Sequence, residues 1–277
     1  MLTPEVLQTR LARFSPYLNE FLQNRLQLTS PSESIEVISA REYLAPERLQ
    51  TSLEIFAKVH RIPDLPVATS LWNKNYNNAL IPAILPAMTL LGIGLDASLE
   101  NVSLILKDET PKAIVLNRLD RTVVYPPRFE ETTASNLPTV TELSQLHAFV
   151  FTSLLEHLRF LNKQVNALTK LPRSVMWGNT GNICDYLYEE LSNCPGTFTA
   201  TQEDRAIIFE QFDSPAGIGR NPLYQTVVCE SIEEPNFSEP VTIRRVCCLL
   251  FRMPEGEGYC GNCPLMSREE RLARLKH

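Results

Sequence analysis

Four cysteines lie close together near the C-terminal end of the chain: Cys247, Cys248, Cys260 and Cys263. They form an adjacent pair, a gap of eleven residues and then a Cys-x-x-Cys pair. Four thiolates that converge on one site can bind either Zn²⁺ or an iron–sulfur cluster. The Cys-x-x-Cys spacing suits both, because a tight turn containing Gly261 and followed by Pro264 can present two sulfurs to one centre.

The adjacent pair, Cys247 and Cys248, is the more informative half of the motif. Neighbouring side chains point apart on a strand and roughly 100° apart on a helix, and structural zinc sites use pairs spaced by two to four residues. One Zn²⁺ is therefore an awkward fit, whereas a two-iron cluster has ligand positions on two separated irons. Spacing alone leaves both groups open. Buried cysteines without metal are a third interpretation, against which the clustering argues.

Charge is distributed unevenly along the chain. The 277 residues carry a formal net charge of −6, which argues against a nucleic-acid interface. Residues 241–277 contain seven basic and four acidic side chains, a local net charge of +3. This segment is interpreted either as a site for an anion or an acidic partner, or as a solvated terminal helix.

The chain is expected to be soluble and cytoplasmic. Residues 1–28 form an amphipathic pattern rather than a secretory signal. The most apolar stretch, residues 79–95, contains Pro82 and Pro86 and predicts a buried core helix rather than a membrane span. In a reducing compartment, clustered cysteines indicate metal rather than disulfides.

The hydrophobic spacing predicts helices over residues 2–28, 45–61, 70–95, 139–168, 182–191, 204–212 and 267–276. Thr3 is the predicted N-cap of the first helix, with Pro4 at its first position. The third is expected to be interrupted near Pro82 and Pro86. β-branched runs predict strands over residues 102–106, 113–116 and 122–125, the last two flanking a hairpin turn at 117–120.

These elements predict a mainly α fold with a small antiparallel β-sheet (α+β). The polar segment 126–138 is the candidate boundary between two regions. Residues 1–130 would form an N-terminal helical region with the short hairpin. Residues 131–277 would form a helical domain that carries the cysteine cluster within residues 243–266.

The cysteine segment resembles the ferric siderophore reductases of the FhuF type. "RRVCC" and "CGNCPL" are similar to the C-terminal signature of that family, in which four cysteines bind a [2Fe–2S] cluster. Trp177, Asn179 and Asn182 match its Trp-x-Asn-x-x-Asn stretch, and "GRNPLY" at 219–224 matches a segment upstream of the cysteines. More loosely, residues 70–92 resemble the N-terminal apolar helix. The family gap between cysteine pairs is usually ten residues, so the extra residue here bears on the environment of the cluster.

The resemblance implies a fold related to the C-terminal region of siderophore synthetases. It also implies one-electron reduction of a ferric siderophore through a [2Fe–2S] cluster on the four cysteines, with release of Fe²⁺ in the cytoplasm. The candidate substrate-binding residues are Trp177, Asn179, Asn182, Arg244 and Arg245. The first three are equally interpretable as a core tryptophan and two capping asparagines.

The implied partners are a ferric siderophore and an electron donor such as a ferredoxin or a reductase. Peripheral contact with the inner face of the membrane stays open. Two alternatives remain: a binding module clipped by zinc, and an iron–sulfur electron shuttle or redox sensor that has no siderophore substrate.

Overall fold

The computed structural model describes residues 3–20, 23–27, 36–129, 137–217, 219–231, 240–254 and 258–275. The fold is mainly helical with small β-sheets, as the sequence predicted. The helices are α1 (Pro4–Ala12), α2 (Ala40–Tyr43), α3 (Pro46–Val59), α4 (Leu65–Leu91), α5 (Leu143–Thr169), α6 (Arg173–Ser192), α7 (Phe198–Phe209) and α8 (Arg268–Leu275). Over these described ranges, none of the helices has the length and apolarity needed to cross a bilayer.

The strands are short and lie in separate small sheets. They are β1 (Leu26–Gln27), β2 (Val37–Ser39), β3 (Ile93–Leu95), β4 (Val102–Lys107), β5 (Thr110–Leu116), β6 (Thr122–Val124), β7 (Val227–Glu230) and β8 (Val241–Arg244). One sheet has the order β1-β5-β4-β2, in which only β1 and β5 run parallel. The antiparallel pairs β3–β6 and β7–β8 form the other two.

The β-hairpin joins β4 to β5, so the hairpin predicted around residues 117–120 is wrong. Asp108 and Glu109 make the actual turn with φ of 51° and 59°, the left-handed values of a two-residue hairpin. Strands β5 and β6 belong to different sheets. The side-chain oxygen of Asn101 accepts the Arg118 N–H at 2.7 Å, which helps to fix the connection between those sheets.

Helix α4 is the centre of the fold and is continuous over 27 residues, so the predicted interruption is wrong. Pro82 and Pro86 lie inside it. Proline removes one backbone hydrogen bond, but packing of α4 against α3, α5, α6 and α7 stabilises the helix regardless. It begins at the N-cap Asp64 and ends at Gly92, whose φ of 62° suits a glycine C-cap.

Helix α1 is much shorter than the helix predicted over residues 2–28. The Thr3 side chain accepts the Val6 N–H and Pro4 is the first helical residue, which confirms the predicted start. The helix ends at Ala12 and is followed by a 3₁₀ turn that contains Pro16. Because proline cannot donate a helical hydrogen bond, the α-helix does not continue through this position.

Helix α6 begins at Arg173, well before the helix predicted at 182–191, and packs against α4. Gly181 permits a close approach on another side: an added Cβ would lie 2.0 Å from Oγ1 of Thr226, just before β7. One hydrophobic core extends from Leu7 to Val227. The predicted domain boundary between residues 130 and 131 lies outside the described residues, and the division into two regions stays a prediction.

Candidate metal centre

The two cysteine pairs lie on two turns between β8 and α8. Cys247 and Cys248 follow β8 in a turn where Leu249 has a φ of 68°, a left-handed value that is unfavourable for a non-glycine residue. In this conformation the Leu249 N–H points at the sulfur of Cys247, with nitrogen and sulfur 3.3 Å apart. The second turn is closed by the Cys263 N–H, which donates to the Cys260 carbonyl at 3.1 Å.

The four thiols come from two turns that face each other. The sulfurs of Cys248 and Cys260 are 3.7 Å apart, and Cys263 is near enough to Cys247 to raise the pKa of its thiol. Two sulfurs on one tetrahedral metal at about 2.3 Å would be separated by about 3.8 Å. Each pair joins one cysteine from each turn. This donor set fits a group that takes two thiolates at each of two positions.

No three histidine, cysteine, aspartate or glutamate side chains in the described ranges are arranged for a single metal ion. The thiols are well shielded: Cys248 and Cys263 are buried, whereas Cys247 and Cys260 are half-buried. Buried, soft sulfur donors in this number suit an iron–sulfur cluster.

The surroundings of the thiols favour a negative charge on one of them. A hydrogen bond with Cys260 and the positive charge of Arg244 lower the pKa of the Cys248 thiol below its ordinary value. The same hydrogen bond raises the pKa of Cys260. Burial raises the pKa of Cys247. The Cys248–Cys260 pair therefore loses its first proton easily and holds the second one firmly.

Helix α6 forms hydrogen bonds with both ends of the cysteine segment. Asn182 Oδ1 accepts a hydrogen bond at 2.7 Å from Asn262 Nδ2, inside the second cysteine turn. Asn179 Oδ1 accepts one at 2.6 Å from Arg244 Nη2, at the end of β8. The two asparagines are three residues apart and so lie on the same face of the helix.

Helix α4 completes this network. Ser70 Oγ donates to the carbonyl of Cys248 at 2.8 Å. Asn179 Nδ2 in turn donates to the Ser70 carbonyl at 3.0 Å, with Ser70 Oγ at 3.1 Å and Asn73 Oδ1 at 3.2 Å. The first cysteine turn is thus tied by buried hydrogen bonds to the two central helices.

A cavity of 880 Å³ lies beside Cys260, between α4, α6, β8 and the second cysteine turn. Four amide side chains line it: Asn19, Asn78, Asn182 and Asn262. Its charged wall residues are Lys74, Asp185 and Glu189. The side-chain oxygen of Asn78 is buried and has no hydrogen-bond partner. The cavity therefore offers an amide-rich surface next to a cysteine.

The predicted substrate residues separate into different environments. Asn182 lines the cavity, whereas Trp177, Asn179, Arg244 and Arg245 are not part of its described wall. Asn179 and Arg244 are buried, at 0% and 1% exposure. Trp177 is half-buried against the core, and Arg245 is exposed and donates to Gln225 Oε1 at 2.7 Å. Their assignment to substrate stays a prediction.

Sequence reasoning missed the contribution of α4 to this site. Four asparagines lie within the apolar stretch that forms α4: Asn73, Asn75, Asn77 and Asn78. Polar side chains in a buried helix need partners. That density was a usable signal that α4 faces a polar site.

Residues 70–231 match the family described as "Ferric iron reductase FhuF-like transporter". Residues 244–265 match the FhuF 2Fe-2S C-terminal domain, so the cofactor of the cysteine segment is a [2Fe–2S] cluster. A curated relative, the ferric siderophore reductase of Escherichia coli (strain K12), is 27% identical over 101 residues. The match covers 36% of this chain and 34% of that protein.

Solved structures with the same fold are siderophore synthetases, as the predicted fold relation implied. Aerobactin synthetase IucA from Klebsiella pneumoniae has a TM-score of 0.56 and 14% identity, covering 80% of this chain and 49% of that chain. The petrobactin biosynthesis protein AsbB from Bacillus anthracis has a TM-score of 0.54 and 14% identity, covering 81% and 47%. The chain thus spans less than half the length of these relatives. Because the first family match covers more than half of the sequence, the protein belongs to the FhuF-like ferric iron reductase family.

Proposed function

We propose that the protein reduces a ferric siderophore by one electron and so releases its iron as Fe²⁺. The observation that supports this is the 880 Å³ cavity, whose wall includes Cys260. A chelate in this cavity lies against a ligand of the metal centre, without intervening protein layers. The curated relative is named for the same class of substrate.

The cluster ligands in this proposal are Cys247, Cys248, Cys260 and Cys263. When bound to them, a [2Fe–2S] cluster supplies one electron at a time. The backbone N–H groups of Leu249 and Leu250 point at the sulfurs of Cys247 and Cys248. Such hydrogen bonds stabilise negative charge on sulfur and help to set a cluster's potential.

The cavity wall binds the chelate without competing for its iron. Amide groups such as those of Asn182 and Asn262 hydrogen-bond to polar groups of an organic ligand but are weak ligands for Fe³⁺. Lys74 places a positive charge where the anionic oxygens of a siderophore can approach it. The amide side chain of Asn78 is part of the same wall.

Release follows from the charge of the substrate iron. Siderophores hold Fe³⁺ through hard, mostly anionic oxygens. One added electron converts Fe³⁺ to Fe²⁺, and no covalent bond or proton has to move in that step. The same oxygens hold the ion of lower charge far more weakly, so Fe²⁺ leaves the chelate.

We place this reaction in the cytoplasm, with a ferredoxin or a reductase as the electron donor. Arg245 and Arg268 are exposed basic residues on either side of the cysteine segment. Such charges favour encounter with an acidic electron-transfer protein. Peripheral contact with the inner face of the membrane is left open.

The first test is whether the four cysteines hold the cluster. We expect anaerobically purified protein to be brown and to contain about two irons and two sulfides per chain. Cys247→Ser should lose the colour and the iron. Cys229→Ser, which changes an exposed cysteine outside the centre, should keep both. Colourless protein with one zinc would support the binding-module alternative and end the reductase proposal.

The second test separates a reductase from an electron shuttle. Reduced protein should be oxidised rapidly by a ferric siderophore, with Fe²⁺ captured by a coloured chelator. Asn78→Leu should slow this reaction about ten-fold, the effect of one lost hydrogen bond of about 1.4 kcal/mol. Asn75→Leu, on the same helix but outside the cavity, should not. Oxidation by ferricyanide, which does not need the cavity, should be equal in all three proteins.

A further inference from the structure

Arg244 is a buried cation whose bonded partners are all neutral. Its side chain is 1% exposed. Nη2 donates to Asn179 Oδ1 at 2.6 Å and Nε donates to the Val246 carbonyl at 2.8 Å. Across the described residues, none of the ion pairs includes Arg244. Burial of a charge without a counter-charge is strongly destabilising, so the balancing negative charge has to come from the cysteine sulfurs beside Arg244.

A second buried arginine contacts the same segment. Arg271 is 6% exposed, and its Nη2 donates to the carbonyls of Cys263 at 3.0 Å and Met266 at 3.3 Å. Its Nη1 is buried without any partner. Within the described part of the chain, these two are the arginine and lysine side chains that are buried. The positive charge that this fold buries is therefore concentrated at the cysteines.

The cluster and its four thiolates together supply this negative charge. A [2Fe–2S] cluster with four thiolates carries two negative charges when oxidised and three after it accepts one electron. The positive charge of Arg244 acts on the sulfurs of both Cys248 and Cys260. Since the added electron increases the negative charge, a fixed buried cation stabilises the reduced cluster more than the oxidised one.

On the basis of the cofactor in the proposed function, we infer that Arg244 is the internal counter-charge that raises the reduction potential of the cluster. Asn179 is the residue that positions it. Exposed arginines, such as Arg252 in its ion pair with Asp64, contribute little, because solvent and salt screen their charge.

The identity of residue 179 matters for this role. An asparagine oxygen fixes the guanidinium by a hydrogen bond and leaves its charge uncancelled. Asn179 is itself held by Ser70 and Asn73 on α4, so Arg244 cannot easily turn away. An aspartate at the same place would form a buried ion pair with Arg244 and remove its effect on the cluster.

The test is an anaerobic optical redox titration of the cluster-loaded protein in the presence of mediators. Arg244→Met should lower the equilibrium constant for one-electron reduction about ten-fold, which is about 59 mV. Asn179→Asp, which retains the arginine, should lower it in the same direction. Arg244→Lys should stay nearer to the wild-type potential, and Arg252→Met, the control, should match the wild type.

The inference is overturned if Arg244→Met titrates at the wild-type potential, or if Arg252→Met shifts it as much. Should Arg244→Met fail to hold the cluster, Asn179→Asp decides: an unchanged potential there contradicts the inference. Failure of the proposed function is a separate result. It appears as wild-type protein that lacks the cluster, or that holds it but does not reduce a ferric siderophore.

Discussion

Two buried polar centres lie near opposite ends of helix α4, and they differ in how their buried charge is balanced. Near the C-terminal end, Asp204 is 0% exposed and accepts hydrogen bonds from Arg128 at 2.9 Å, from Thr89 at 2.7 Å and from His147 at 2.7 Å. Near the N-terminal end, Arg244 has only neutral protein partners. At 1.5 Å per residue, Ser70 and Thr89, which mark the two centres, are about 28 Å apart along the helix.

The difference indicates which centre is structural and which one receives a cofactor. The Asp204 centre contains its own counter-charge in Arg128, and its hydrogen bonds join α4, α5 and α7. It requires nothing from outside the chain. The Arg244 centre contains a cation beside four thiols, and all four become thiolates only when they hold the cluster, so its negative charge is complete only with the cofactor bound. An unbalanced buried charge is thus a guide to the site of a missing group.

The largest effect is expected at the balanced centre. Asp204→Asn leaves Arg128 with only the exposed carboxylate of Glu203 and removes the charged acceptor from Thr89 and His147, which should lower the free energy of unfolding by about 3–5 kcal/mol. Denaturant titration of the cluster-loaded protein measures it. Glu203→Gln, at the exposed partner of Arg128, should cost at most about 1 kcal/mol. The cluster potential of Asp204→Asn should match the wild type, and a shift there would mean that the two centres are not separate.

A buried histidine adds a pH dependence that belongs to the structural part of the core. His157 Nδ1 donates to the Ala97 carbonyl at 2.8 Å, and its Nε2 therefore accepts from the Tyr76 hydroxyl at 2.6 Å. Burial lowers the pKa of His157 to about 4. The unfolded chain binds this proton at an ordinary pKa of about 6.5, so the unfolded state gains protons first as the pH falls.

Stability should therefore decline as the pH drops from about 6.5 towards about 4, by about 3 kcal/mol in total from this residue. Denaturant titrations across that range measure the slope. In His157→Gln the total decline in stability should be smaller by this amount. His60→Gln, at an exposed histidine, should show the same decline as the wild type. An unchanged slope in His157→Gln would show that His157 is not the group responsible.

The sequence predicted the cluster ligands but not the residues that support them. Cys-Cys and Cys-x-x-Cys are local patterns, and their residue types carry the chemistry by themselves. The bond between Asn179 and Arg244 joins residues 65 positions apart. Only the packing of α6 against β8 brings them together, so no local pattern could have predicted it. The basic character of the segment was visible, but not which arginine is buried.

The same distinction explains the errors in the fold. Pro82 and Pro86 are helix breakers by local propensity, and the helix continues because α4 is packed on most sides. The hairpin at Asp108 and Glu109 lacks the glycine that usually marks such a turn. Tertiary contacts decided both cases. Local signals were sufficient where a residue acts on its neighbours in the sequence, as the side chain of Thr3 does at the start of α1.

The smallest expected effect is also the most direct test of the difference between the Asp204 and Arg244 centres. Arg244→Met should lower the melting temperature of the cluster-loaded protein by more than that of the apoprotein, because the charge that it balances is present only in the first. A difference of about 1–2 kcal/mol corresponds to several degrees for a chain of this size. Calorimetry of both forms under anaerobic conditions measures this difference in melting temperature.

Asp204→Asn is the matched control. It should lower the melting temperature equally with and without the cluster, because the counter-charge of Asp204 belongs to the protein itself. If Arg244→Met lowered the melting temperatures of the two forms equally, Arg244 would have a structural role like that of Asp204.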